Sequence, residues 1–371
     1  MNRIYLDNAA TTPLDPFVLE AMLPWLKEGF HNPSSVYLGA RNARMAIDDA
    51  RDMIASGIGC LPGEIIFTSG GTEAANLAIL GTCLANRNGN RKRILLSSAE
   101  HECVLSQKEL LESFGFQVEM LPVSSDGSLP VENVASTIGD SVLLVAAMHA
   151  NNETGAISDA SSIGKLCKEN GVLYFCDCVQ SFGMLRIEAE RLFADMISTS
   201  AHKLYGPQGV GALYVRAGVK VQPLQLGGGQ EREQRAGTEN IAGIVGFGEA
   251  SRLALVDSER GKKISEQRDA LSKLLTGVVT VCDEQLPGHL HMRFPGAKAE
   301  SVLINLDRAG VDASSGSACS SGSLEPSHVL QASGWSFEQI SEAIRFTLGK
   351  EVIDVSYAAK NIEQAVAMSR N

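Results

Sequence analysis

One pattern constrains the fold more than any other: from about Leu61 onward, short β-branched or aliphatic runs alternate with longer amphipathic stretches. The runs 64–69, 93–97, 116–123, 141–149, 172–177, 195–200 and 211–216 read as strands, and 72–85, 102–114 and 159–170 as helices. Strands separated by helices of that length favour parallel pairing, because a crossover helix returns the chain to the same end of a sheet. After about Ala250 the rhythm changes. The stretch 258–275 predicts a charged amphipathic helix, 278–282 and 289–294 short strands, and 300–309, 336–348 and 354–368 further helices. The expected fold is α/β, with a large, mostly parallel sheet unit followed by a smaller α+β unit. A chain of 371 residues, 44% of them apolar, is long enough for two domains with a sizeable core.

Charge narrows the function. Lys plus Arg number 32 against 43 Asp plus Glu, a net charge of −11, and no basic run offsets it. Direct nucleic-acid binding or an anionic membrane is therefore not expected as the primary partner. No apolar stretch approaches the ~20 residues that span a bilayer, and Met1-Asn2-Arg3-Ile4-Tyr5 opens without a signal-like apolar segment. The expectation is a soluble cytoplasmic protein. Its eight scattered cysteines then read as reduced thiols. Cys176-Asp177-Cys178 has no second pair nearby to complete a metal site, so no metal is expected.

In a parallel sheet, ligands sit beyond the carboxyl ends of the strands, so the loops leaving those strands carry the chemistry. Ser69-Gly70-Gly71-Thr72-Glu73 joins a strand to a helix, where backbone N–H groups and the helix dipole hold phosphate; taken alone, capping preference favours an ordinary glycine turn capped by Thr72. Neither nucleotide-binding glycine pattern is present. Asp177 closes an apolar strand, and a buried carboxylate there needs a cation such as a protonated pyridine nitrogen. Lys203, in Ser200-Ala201-His202-Lys203, is either a solvated loop charge or a Schiff-base lysine. His101 follows a strand end in Ser97-Ser98-Ala99-Glu100-His101 and is by itself more often structural.

Together these loops resemble the cysteine desulfurases, the NifS/IscS-type branch of the class-V aminotransferases and of the fold-type I pyridoxal-phosphate enzymes. The resemblance runs from Tyr5-Leu6-Asp7-Asn8-Ala9-Ala10-Thr11-Thr12-Pro13 through Asn32-Pro33-Ser34-Ser35, Asn151-Asn152-Glu153-Thr154-Gly155 and Arg235-Ala236-Gly237-Thr238-Glu239-Asn240 to Ser314-Ser315-Gly316-Ser317-Ala318-Cys319-Ser320-Ser321-Gly322. It implies a mixed, mostly parallel seven-stranded sheet in a large cofactor domain (14–255). It also implies a small domain (256–371, with 1–13) that carries the cysteine loop. It implies that Lys203 carries pyridoxal phosphate as a Schiff base, Asp177 keeps the pyridine nitrogen protonated, Gln180 bonds the ring O3′ and His101 stacks on the ring. Gly71, Thr72, Ser200 and His202 would hold the phosphate, joined by Thr238 from the second subunit of a homodimer. Asn152 and Arg345 would orient the substrate, Arg345 by a bidentate grip on its carboxylate; its place in the pattern 337–348 otherwise reads as a solvated helix charge.

Cys319 separates a desulfurase from its relatives, because sulfur transfer needs a thiolate that attacks the substrate Sγ and then carries a persulfide away. Small residues around it suit a mobile carrier, and a flexible Ser/Gly loop with an incidental cysteine is the plain alternative. The resemblance implies conversion of L-cysteine to L-alanine, with sulfur passed to an acceptor protein for iron–sulfur clusters or nucleic-acid thiolation. Selenocysteine lyase, aminotransferase and a non-enzymatic binding platform are the rival readings. Three positions depart from the family pattern: Tyr37, Met184 and Cys178. Cys178 stands where alanine is usual, and is expected against the ring face opposite His101.

Overall fold

The computed structural model describes residues 3–316 and 326–370. The strands are β1 (Ile4–Tyr5), β2 (Ile65–Thr68), β3 (Arg93–Ser97), β4 (Gln117–Leu121), β5 (Val142–Ala146), β6 (Leu173–Asp177), β7 (Met196–Ser200) and β8 (Gly211–Val215), then β9 (Val278–Val279), β10 (His289–Arg293), β11 (Val311–Asp312) and β12 (Ala343–Thr347). Strands β2 to β8 form one seven-stranded sheet in the order β2-β8-β7-β6-β5-β3-β4. All neighbours are parallel except β8, which runs antiparallel to both β2 and β7. From β3 the chain steps out to β4 and then returns to β5 on the other side. The crevice between β3 and β5 is the switch point at which such sheets bind ligands.

Apart from the partly exposed edge strand β4, the sheet is buried on both faces, as its near-continuous aliphatic strands require. Tyr174 and Cys176 of β6 belong to one apolar cluster, with Leu95, Val145 and Ile197. Phe175 belongs to the cluster on the opposite face, with Ile94, Leu96 and Leu144. This two-residue alternation decides which side chains of β6 can reach the crevice.

The second unit is a three-stranded antiparallel sheet in the order β12-β10-β9. The helices Arg260–Ser272, Ala299–Arg308 and Val355–Ser369 supply Ile264, Val302 and Ile362 to its core. The N-terminal segment joins this unit: β1 pairs in parallel with β11, and Leu6 is buried among the same residues.

Several expected elements come out differently. The stretch 336–348 is not one helix. A short helix, Phe337–Ser341, is followed directly by β12, with every β12 residue buried. An apolar run so short fits a helix face and a buried strand equally, and pairing with β10 decides for the strand. The stretch 102–114 divides into Glu102–Leu105 and Lys108–Ser113, and the helix after β2 begins at Gly71 with Gly70 as its cap, so Thr72 is not the cap. The helices Pro16–Lys27, Leu38–Ile58 and Ile241–Val256 have no counterpart in the alternation, and the third packs against both of the others.

Candidate active site

The carboxyl ends of β3, β5, β6 and β7 open on one cavity of about 190 Å3. Its lining contains Gly71, Thr72, His101, Asn152, Asp177, Gln180, Ser200, His202, Lys203 and Arg345. Ten of the twelve residues singled out from the sequence are thus brought together. Thr238 is exposed and lies outside this lining. Cys319 lies outside the described residues.

Lys203 sits in the 3-10 turn Ala201–Lys203 that follows β7. Its Nζ donates to the carbonyls of Ala9 and, at 2.8 Å, Ala10. Gln180 Nε2 donates to the same Ala9 carbonyl at 3.0 Å. The turn Asn8-Ala9-Ala10 therefore fixes both groups. Asp177 closes β6, and its Oδ1 accepts from the Val179 N–H at 2.8 Å. Burial pushes its carboxyl above the usual range, against the pull of that N–H, His101 and Lys203. A cation brought against it would offset that penalty, which is what a protonated ring nitrogen supplies.

His101 caps the helix Glu102–Leu105, its Nδ1 accepting from the Cys103 N–H at 3.1 Å. An accepting Nδ1 leaves the proton on Nε2, so the ring is neutral. Burial favours the same state and moves its pKa down, with Lys203 adding to the effect and Asp177 opposing it. His202 is held against the Thr11 hydroxyl at 3.2 Å, and burial and Lys203 lower its pKa to about 4.

At one end of the cavity lies the N-terminus of the helix Gly71–Ala85. Gly70 has φ 156°, open to glycine alone, and a Cβ on Gly71 would stand 2.6 Å from Val179 Cγ2. This turn with Ser69, Thr72, Ser200, His202 and Gln208 surrounds an adjoining space of about 450 Å3. Exposed N–H groups and hydroxyls at a fifteen-residue helix start form an anion cradle. Glu73, in the first turn, also borders this space, its carboxylate accepting from the Ser69 N–H at 2.7 Å and from Arg235 Nε at 2.7 Å.

At the other end stands Arg345, in the middle of β12 and 1% exposed. Its Nη1 donates to the Asn152 carbonyl at 2.9 Å, and its Nη2 to Asp7 Oδ1 at 2.7 Å. Its Nε has no hydrogen-bond partner among the described residues. A buried guanidinium that lines a cavity, with N–H groups beyond those given to Asn152 and Asp7, is suited to a substrate carboxylate. Asp7 Oδ2 also accepts from Ser314 Oγ at 2.8 Å, and Ser327 Oγ donates to Glu153 Oε2 at 2.6 Å. Residues on both sides of the segment containing Cys319 are thus fastened beside Arg345 and Asn152.

One expectation is overturned. Cys178 does not face the cavity. It continues the Tyr174–Cys176 face of β6, fully buried in the same apolar cluster, with its Sγ 3.7 Å from that of Cys176. Two residues per strand repeat place Asp177 and Val179 on the cavity side and Cys178 behind it. Val179 is the apolar wall that was assigned to position 178.

Sequence reasoning also passed over Glu100. It is fully buried, its Oε1 accepts from the Met148 N–H, and its Oε2 has no partner among the described residues. Burial first, then the field of Asp177, push its pKa up to about 8. Its position directly before His101 was the available signal. Among the described residues no group of three His, Cys, Asp or Glu side chains is arranged to hold a metal ion. Nor does any helix there have the length and apolarity to cross a membrane.

Comparison with known proteins agrees with this geometry. The family model "Aminotransferase class-V" matches residues 4–351. A protein of Dictyoglomus turgidum named cysteine desulfurase IscS is 43% identical over 378 residues, covering 99% of this chain and 95% of its own. A solved structure titled "NIFS-LIKE PROTEIN" superposes with a TM-score of 0.92 at 33% identity, over 99% of this chain and 100% of its own. Another, titled "SspA in complex with cysteine", gives a TM-score of 0.85 at 35% identity over 94% of this chain and 100% of its own.

Proposed function

The chain belongs to the class-V aminotransferase family and, within it, to the cysteine desulfurases, and from that premise we propose how its own residues divide the work. It is a pyridoxal-phosphate enzyme that takes sulfur from L-cysteine and leaves L-alanine. Bound through its aldehyde to an amine, pyridoxal phosphate makes the substrate Cα–H acidic and takes up the electrons of broken bonds. The site fits that group: an anion cradle at Gly70–Thr72, a buried carboxyl pushed up at Asp177, and an amine at Lys203 between them.

Lys203 Nζ would bind the cofactor and, once the substrate amine takes its place, accept and return the proton at the substrate Cα. Asp177 would hold the proton on the ring nitrogen, Gln180 would bond the ring oxygen, and neutral His101 and Val179 would enclose the ring. Gly71, Thr72, Ser200 and His202 hold the phosphate. Arg345, with Asn152, orients the substrate carboxylate. Cys319, as thiolate, attacks the substrate Sγ: the new S–S bond forms as the C–S bond breaks. Cys319 keeps the sulfur as a persulfide, and a proton added at Cβ completes alanine. The observation that carries this reading is the convergence of Lys203, Asp177, His101 and Arg345, from four separate elements, on one cavity.

A second copy completes the assembly. Thr238 is exposed and outside the cavity of its own chain, as a residue serving a partner's phosphate would be. Phe17, Leu26, Phe30, Val36 and Leu38 expose apolar side chains near the helices Pro16–Lys27 and Leu38–Ile58, which suits a homodimer face. The division into 14–255 and 256–371 with 1–13 accords with β1 pairing with β11. The persulfide passes to an acceptor protein in the cytoplasm.

Two experiments test the reading. Purified protein should be yellow, and borohydride reduction should fix the cofactor to Lys203; recovery of the label on another lysine would overturn the assignment. Cys319→Ser should still change colour with L-cysteine yet release almost no alanine, and equal alanine rates from both proteins would make Cys319 a bystander.

A further inference from the structure

His328 opens the short helix His328–Ala332, three residues beyond the last residue of the segment that contains Cys319. Its ring reaches across to the turn that carries His101. Nε2 lies 2.8 Å from the Glu100 carbonyl oxygen, and Nδ1 lies 3.2 Å from Glu102 Oε1. A carbonyl only accepts, so Nε2 carries the proton in that contact. The second contact becomes a hydrogen bond when the ring is an imidazolium. The two contacts fall on the residues immediately before and after His101.

Among the described residues the His101 ring makes one hydrogen bond, accepted by Nδ1 from the Cys103 N–H within its own cap. The turn is anchored from behind by Asn151 Nδ2, which donates to the Ala99 carbonyl at 3.2 Å. The Glu100 side chain braces it on one side through Met148, and His328 braces it on the other. His328 is itself held, because the preceding Ser327 caps the Leu330 N–H at 3.1 Å and donates to Glu153. Trp335 Nε1, further along the same stretch, bonds the Ser125 carbonyl at 3.0 Å.

We propose that His328 is a positioning residue for the desulfurase reaction, clamping the Glu100–Glu102 turn so that the His101 ring stays flat against the cofactor. This rests on the reading that His101 covers the ring. His328 touches neither cofactor nor substrate; it acts through His101. Loss of its donor to the Glu100 carbonyl removes one well-formed hydrogen bond from the turn, which should lower kcat by roughly three- to tenfold. KM for L-cysteine should hold, since Arg345 and Asn152 are held by other contacts.

The test compares wild-type holoenzyme with His328→Ala, His328→Gln and His101→Ala. For each, kcat, KM and the visible circular dichroism of the bound cofactor, which reports how the ring sits in its asymmetric pocket, are measured. We expect His328→Ala to lower kcat, leave KM, and alter the visible dichroism in the direction of His101→Ala. His328→Gln, whose amide Nε2 keeps a donor for the Glu100 carbonyl, should recover most of both. Wild-type dichroism and kcat in His328→Ala, beside a clear defect in His101→Ala, would overturn the clamp and leave the role of His101 standing. An unaltered His101→Ala would overturn both. Equal loss in the Ala and Gln variants, with a fall in melting temperature and no dichroic change, would show a merely structural residue and likewise overturn the proposal.

Discussion

Glu100→Gln should stabilise the protein in a pH-dependent way. Glu100 is fully buried, and its carboxyl titrates near 8 in the fold against 4.5 in an unperturbed chain. Between those values the folded state holds a proton that the unfolded state has released. Stability contributed by this group is therefore complete below about pH 4.5, falls as pH rises, and levels off above about 8. At pH 7 the loss covers about 2.5 pH units at 1.36 kcal/mol each, or about 3 kcal/mol. Glutamine does not ionise, and its Oε1 still accepts from the Met148 N–H. The new amide Nε2 adds an offset that does not depend on pH, so the slope is diagnostic rather than the absolute stability. The assay is urea unfolding of both proteins at steps from about pH 5 to about pH 8, freed of cofactor so that ligand binding adds no slope of its own. The wild type should lose stability across that range relative to the variant, by about 3 kcal/mol near neutrality. Parallel curves would show that Glu100 ionises readily in the fold, and would refute the argument from burial.

Two further variants test the end of β6. Cys178→Ala should keep desulfurase turnover within a few-fold and leave the cofactor absorbance band in place, since the thiol lies behind β6; persulfide mapped to Cys178 by mass spectrometry would contradict that placement. Asp177→Asn should fold normally but slow exchange of the substrate Cα proton severely, because an unprotonated pyridine is a poor electron sink; near-normal exchange in deuterated solvent would remove Asp177 from the mechanism.

The parallel sheet and most of its crevice were legible because each strand end is followed at once by a short, chemically marked loop. His101, Asp177 and Lys203 stand within a few residues of β3, β6 and β7, so local reading finds them. Arg345 is different. Its neighbours Ile344 and Phe346 pair with Met292 and Leu290, more than fifty residues earlier, and only that pairing turns the stretch into a buried strand. Without it, an arginine between apolar residues reads as a solvated charge. The helices Pro16–Lys27 and Ile241–Val256 escaped for a related reason. Ile241–Val256 is apolar around most of its surface, so no amphipathic period marks it, and its burial is supplied by other helices. Cys178 failed at finer scale: the loop was located correctly, but the side on which each residue emerges follows from the strand's alternation.

The N-terminal stretch 7–10 shows why the site exists only in the assembled molecule. Asp7 holds Arg345 and Ser314, Asn8 donates to the Thr347 carbonyl at 2.8 Å, and the Ala9 and Ala10 carbonyls hold Lys203 and Gln180. Arg345 belongs to the smaller sheet and Lys203 to the larger one, and in the described residues these four positions contact both. A cationic amine and a cationic guanidinium facing one small cavity would repel each other. One carboxylate and two carbonyls between them divide that charge. The short side chains of Ala9 and Ala10 follow from this arrangement: both line the cavity, and bulk there would occupy the space that cofactor and substrate must share. The stretch thus provides main-chain acceptors and empty volume at once, a combination that a longer side chain at either alanine would destroy.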